Sequence, residues 1–313
     1  MHEHQILLGA SMYVPATHAP DNLVAIGNGA KYPALRSVIF CTEDSVREDE
    51  VGLALSNLTH ALPKMNDSER PMRFIRVRNP HILGECIMMP GIAKIDGFVL
   101  PKVTCENLNH YVSQLRDKDT FLLMPTLETR EVFDAREMTK LRQMLSDNKL
   151  HDRILCLRIG GNDLLNCLRV RRSPAHTIYD TPIGNLIARL SGEFIPHGFG
   201  LTAPVCESID NDEVLRAEIE RDLLHGLFGK TAIHPDQIRT IEEMYQVDPI
   251  DLQEAQAIVD TDAKAVFRLN NRMCEPATHT PWAHDIIKRA QIYGVRGEAA
   301  SNMIYFHRHR KSG

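Results

Sequence analysis

Short apolar runs recur along the chain, separated by stretches whose apolar residues fall three and four positions apart. The first run covers residues 6–14 and stops at Pro15. The second begins Ser37-Val38-Ile39-Phe40-Cys41 and ends in Thr42-Glu43-Asp44. Others lie at 73–79, 97–102, 121–129, 154–159, 201–206 and 229–233. Each is short enough for a strand, and several end in charged residues. Helical spacing fills the gaps at 45–61, 104–115, 129–145, 182–193 and 212–225, and Pro235 opens another helix. Ser45 with Glu48 reads as a capping box, with Val46, Leu53, Leu55 and Leu58 on the apolar side. Leu215, Ile219, Leu223 and Leu224 give residues 212–225 theirs, with Gly226 as the stop.

Eight strands alternating with helices predict an α/β fold, a (β/α)8 TIM barrel, over residues 1–247. A helical extension follows over 248–313. Asp248-Pro249 opens a long helix to about residue 268, and Thr280-Pro281 opens one that stops at Gly294. The basic stretch 306–311 reads as a frayed tail.

Composition narrows the function classes. With 36 basic and 41 acidic residues among 313, the net charge of -5 gives no general attraction for nucleic acid or anionic membranes. No run approaches the roughly 18 apolar residues of a membrane span, and the first residues lack the pattern of a signal peptide. The seven cysteines form no C-x-x-C pair, which argues against a zinc ribbon and fits a reducing cytoplasm.

The chemistry concentrates where strands end. Phe121-Leu122-Leu123-Met124-Pro125-Thr126-Leu127 delivers Glu128, and Ile154-Leu155-Cys156-Leu157-Arg158-Ile159 runs into Gly160-Gly161-Asn162-Asp163. Both acids would stand at the C-terminal mouth of a barrel, where two carboxylates plus waters suit Mg²⁺. Each acid has a second role open to it, as negative charge at the N-terminus of the next helix. Arg76 ends a strand in the same mouth and suits a bidentate grip on a substrate carboxylate, or a salt bridge to Glu43. Alternation puts Arg78 on the same face as Arg76. Gly226-Leu227-Phe228-Gly229-Lys230-Thr231 is not a phosphate loop, because Leu224 stands where the pattern needs glycine.

In order and spacing, these segments resemble the citrate lyase beta-subunit-like family, within the wider HpcH/HpaI aldolase and malyl-CoA lyase group. The resemblance runs from about Met12 to Asp260. Its most specific piece is Gly229-Lys230-Thr231-Ala232-Ile233-His234-Pro235-Asp236-Gln237-Ile238, similar to the family's GK-x-x-IHP-x-Q-I. Thr42-Glu43-Asp44-Ser45-Val46, Leu100-Pro101-Lys102, Leu127-Glu128-Thr129 and Gly161-Asn162-Asp163-Leu164 support it.

The resemblance implies a TIM barrel, often trimeric, with Mg²⁺ held by Glu128 and Asp163. It implies a carboxylate grip by Arg76; Arg78, from its place on the same strand face, and Lys102 are expected beside it on the substrate. Glu43 and Asp44 are expected to share the catalytic work with Arg76. The implied reaction is reversible C–C cleavage of a 2-oxo acid adduct, in many relatives a CoA thioester. No nucleic-acid or membrane partner is implied.

Four places depart from the family pattern. Cys41 replaces an aspartate, Arg78 falls where asparagine is usual, Arg130-Glu131 follow the Glu128-Thr129 pair, and His279 stands near a C-terminal acid/base aspartate. His279 is either a substitute acid/base or a residue beside a helix cap. The departures mark a divergent branch and motivate two alternatives. One is a barrel that binds or processes a phosphorylated metabolite in a specialised biosynthetic or stress pathway, with Arg78 and Arg130 adding charge. The other is a non-catalytic lyase subunit.

Overall fold

The computed structural model describes residues 4–67 and 70–298; the basic stretch 306–311 lies outside them. Eight parallel strands close into a ring: β1 (Ala10–Pro15), β2 (Ser37–Cys41), β3 (Met72–Arg76), β4 (Gly97–Leu100), β5 (Leu122–Leu127), β6 (Leu157–Ile159), β7 (Leu201–Ala203) and β8 (Leu227–Ala232). Each strand pairs with the next, and β1 pairs with β8 to complete the circle. The expected TIM barrel is the fold observed. The described residues fall into two compact units, the first ending at Thr240 and the second beginning at Ile241.

The strands read as continuous apolar runs because both faces are buried. Inside, Ile39, Met72, Phe74, Val99 and Met124 pack with Leu8, Leu155 and Cys156 into one buried apolar cluster. Outside, the strands pack beneath helices. Gly97 lets β4 approach β5: a Cβ there would fall 2.0 Å from the Leu122 carbonyl oxygen.

The piece most like the family signature holds the fold together through buried charge. Lys230 Nζ in β8 donates to the Pro204 carbonyl at 2.9 Å, to Glu218 Oε1 at 2.9 Å and to Asp222 Oδ2 at 2.8 Å. Arg172 pairs with Glu218, and the Tyr179 hydroxyl donates to Asp222 Oδ1 at 2.6 Å. Two cations therefore match two acids, all four buried. Burial works against the Lys230 charge, but Asp222 and Glu218 outweigh it and hold the ammonium above its ordinary range. Both acids lie on the helix Asp212–Leu224, one turn apart. The sequence pattern put Leu224 on that helix's buried side. Leu224 is instead 84% exposed, because the side facing β8 carries the partners of Lys230.

Element ends moved where capping chemistry was misread. Residues Glu48–Glu50 form a 3-10 turn, and the α-helix proper is Val51–Ala61. The helix expected from residue 129 begins at Ala135, where the Asp134 side chain accepts from the Arg136 amide. The helix expected over 104–115 is shorter, Leu108–Val112. In the second unit the helix Pro249–Val259 is capped by Asp248 as expected but stops well short of residue 268. An antiparallel hairpin, Phe267–Leu269 with Arg272–Cys274, takes its place. Asn270 and Asn271 turn that hairpin at φ 49° and 62°, the left-handed region asparagine tolerates. The last described helix, Pro276–Tyr293, starts ahead of Thr280-Pro281 and contains Pro281.

Candidate active site

Above the apolar cluster the barrel interior turns polar and opens into a cavity of about 470 Å³ at the C-terminal ends of the strands. Tyr13, Cys41, Arg76, Thr126, Glu128, Arg158, Asp163 and Thr231 are among its walls.

Glu128 follows β5 directly. Alternation along that strand sends Met124 into the apolar cluster and Thr126 and Glu128 to the cavity. Glu128 is 4% exposed. Its Oε1 accepts from the Lys102 amide at 2.8 Å and from Arg76 Nη2 at 3.3 Å. Lys102 holds that amide in place from a left-handed backbone, φ 52°. The other oxygen, Oε2, lies against Gly160, where a Cβ would come within 2.5 Å of it. Any other residue at 160 would push Glu128 aside. Burial lifts the Glu128 carboxyl to about 7, aided by the charges of Asp163 and Glu43 and opposed by Arg76 and the Lys102 amide.

Asp163 sits in the first turn of the helix Gly161–Cys167, half-buried in the cavity wall. Its carboxylate makes no hydrogen bond or ion pair among the described residues. The two acids brought together from the sequence thus share one cavity, with Oε2 of Glu128 and the Asp163 carboxylate uncommitted. Two oxygen donors, one lifted in pKa partly by the other's charge, suit a hard divalent cation that keeps waters in its remaining positions. No group of three or more His, Cys, Asp or Glu forms a closed cage among the described residues.

Arg76 lies on the cavity wall as expected, but it is heavily engaged. Its Nη2 stands 2.7 Å from Glu43 Oε2, 3.0 Å from Asp44 Oδ2 and 3.3 Å from Glu128 Oε1. Its guanidinium lies 5.5 Å from the centre of the Tyr13 ring. Lys102 Nζ binds Glu43 Oε1 at 2.6 Å and Asp44 Oδ1 at 3.0 Å. Burial raises the Glu43 carboxyl above its ordinary range against the pull of Arg76. Burial also opposes the Asp44 charge, but its hydrogen bond with Glu43 and the charges of Arg76 and Lys102 outweigh this and hold Asp44 low. The salt bridge from Arg76 to Glu43, open from the sequence, is therefore present.

Arg78 is not brought to the cavity wall. β3 ends at Arg76, so the alternation that placed both arginines on one face stops there. The Arg78 guanidinium instead donates to the backbone carbonyls of Glu43 and Val46, at 3.5 and 3.2 Å. Arg130 pairs with its neighbour Glu131 and is 88% exposed. His279 lies in the second unit, where its Nδ1 accepts from the Glu275 amide at the start of a helix.

Cavity residues that the sequence reading did not assign to the site include Tyr13, Thr126, Arg158 and Thr231. Arg158 had a signal, a lone charge inside the apolar run 154–159.

A family model described as C-C bond lyase of the TIM-barrel fold matches residues 2–295. The chain belongs to that family. It is an enzyme of the carbon–carbon lyase class. Among curated relatives, a (3S)-malyl-CoA thioesterase from Cereibacter sphaeroides is 25% identical over 225 residues, covering 71% of this chain and 73% of that protein. Among solved structures, CitE from Mycobacterium tuberculosis, in complex with magnesium, acetoacetate and coenzyme A, superposes with a TM-score of 0.68. It is 18% identical, and the match covers 92% of this chain and 99% of that one. A citrate lyase beta subunit from the same organism, complexed with oxaloacetate and magnesium, has a TM-score of 0.55 at 20% identity, covering 77% and 99%. At these identities the solved structures speak to the fold.

Proposed function

We propose that this C-C bond lyase family member makes or breaks a carbon–carbon bond in an adduct of a 2-oxo acid, with Mg²⁺ held by Glu128 and Asp163. The observation that carries the reading is that the Asp163 carboxylate and Oε2 of Glu128, both uncommitted, belong to one cavity at the barrel mouth. Bound there, the cation supplies Lewis acidity, offsetting negative charge that builds on oxygen as the bond breaks or forms. The chain's own residues set the geometry. Gly160 leaves room for Glu128, and the Lys102 amide fixes its Oε1 so that Oε2 faces outward from that hydrogen bond. Glu43 and Asp44 act through Arg76 and Lys102, holding both cations at the cavity edge; they are positioning residues. The magnesium in the complexes of the M. tuberculosis proteins supports the choice of ion.

A second reading uses the same site for thioester hydrolysis, and the curated malyl-CoA thioesterases favour it. One experiment separates the two. The purified protein is incubated with Mg²⁺ and malyl-CoA, and released 2-oxo acid (by hydrazone absorbance) and free thiol are measured. Release of 2-oxo acid without thiol supports the lyase; thiol without 2-oxo acid supports the thioesterase. If Glu128→Gln and Asp163→Asn both bind Mg²⁺ as the parent does, the metal assignment is overturned.

A further inference from the structure

The cavity contains a second cation that the lyase reading does not use. Arg158 is 4% exposed and points from β6 into the barrel, just above the apolar cluster. Its Nη2 donates to the Thr231 hydroxyl, its Nη1 reaches the Met124 sulfur at 3.9 Å, and its guanidinium lies 5.6 Å from the Tyr13 ring centre. No carboxylate stands within ion-pair distance of it among the described residues.

Other buried cations are treated differently. Arg70 pairs with Asp96, Arg172 with Glu218, and Lys230 with two acids. Arg73 makes no such pair, but its donors reach the carbonyls of Gly27, Asn66 and Lys94 and the side-chain amide oxygens of Asn28 and Asn66. Arg158 has five N–H donors and one hydroxyl and one thioether to receive them.

The wall beside it is unsatisfied too. Thr126 and Thr202 are the register partners of Arg158 on β5 and β7. Both hydroxyls are buried without a hydrogen-bond partner. Thr126 lines the cavity. A buried guanidinium between two unpartnered hydroxyls is costly unless something with negative charge completes it.

Arg76 does not need such a group, because three carboxylates already surround it. We infer that Arg158, with Thr231 and Thr126, is the receptor for an oxyanion of the substrate, so that the cavity selects a small acid carrying a second anionic group. A guanidinium fork accepts a carboxylate or a phosphate in the same way. In the proposed lyase the 2-oxo acid end lies at Glu128 and Asp163, and the second anion lies deeper, on Arg158. That orientation rests on the metal reading; the receptor does not.

The test has two arms, each read by isothermal titration of the full chain at fixed ionic strength. Without metal, malonate and inorganic phosphate are titrated into the parent, Arg158→Met and Arg158→Lys. The receptor predicts binding that falls at least about tenfold in Arg158→Met and is partly kept by Arg158→Lys. Equal binding to parent and Arg158→Met, or no binding to the parent, overturns it. With Mg²⁺, pyruvate is compared with oxaloacetate and with phosphonopyruvate. A dianion preferred about tenfold over pyruvate in the parent, and not in Arg158→Met, supports the receptor, and the preferred dianion identifies carboxylate or phosphate. A preference that survives in Arg158→Met overturns it. Should Arg158→Met fail to fold by circular dichroism, Thr231→Val is expected to weaken malonate binding, and unchanged binding there counts against the receptor. Malonate binding without any Mg²⁺-dependent binding would remove the metal assignment and leave the receptor standing.

Discussion

Glu128 holds a proton more tightly than an ordinary glutamate because folding buries it beside Asp163 and Glu43. Its folded value of about 7 lies above the ordinary 4.5. The raised value means that the protonated form stabilises the metal-free fold. That contribution is fully present below about pH 4.5, is lost as pH rises through about 7, and amounts to about 3 kcal/mol. A cation must displace the same proton. Mg²⁺ affinity is therefore expected to rise about tenfold per pH unit below 7 and to level off above about 8. Calorimetric titration at pH 6, 7 and 8 measures this, and an affinity flat across that range removes the coupling. Both acids were legible in the sequence, because an apolar run that ends in a carboxylate is visible as a pattern. Arg158 was passed over because its meaning depends on which neighbours lack partners, and that exists only in three dimensions. Arg78 was misplaced because strand alternation was extended past the residue at which β3 ends.

At the scale of elements, β8 and the helix Asp212–Leu224 are joined by buried ion pairs, Lys230 with Glu218 and Asp222. Lys230→Met would leave Glu218 and Asp222 buried with Arg172 as their remaining cation. The expected cost is about 3–5 kcal/mol in urea unfolding, and a loss under about 1 kcal/mol would contradict the ion-pair account. The lysine was visible as part of a family signature, but its reason was not. Glu218 and Asp222 share the buried side of their helix with Leu215 and Ile219, as the apolar spacing placed it, but nothing in that spacing shows that two acids there face a lysine on β8.

For the molecule as a whole, eight strands were countable because a barrel strand is apolar on both faces and cannot be mistaken for a solvated edge. The second unit was harder. Its hairpin is three residues on each side, too short for alternation to register, and its turn depends on two asparagines in the left-handed region.

The guanidinium of Arg76 joins chain segments that are distant in sequence: the end of β2 through Glu43 and Asp44, and the end of β5 through Glu128. Lys102 adds the end of β4 to the same knot. Three loops at the barrel rim are thus tied through shared ion pairs, and they are expected to respond as one cooperative unit. Mg²⁺ at constant pH is expected to slow amide deuterium exchange over residues 42–47 and 101–104 along with 127–131. Slowing confined to 127–131 would mean that the rim is three independent loops. If the three respond together, the loop after β2 senses the occupancy of a site it does not itself form.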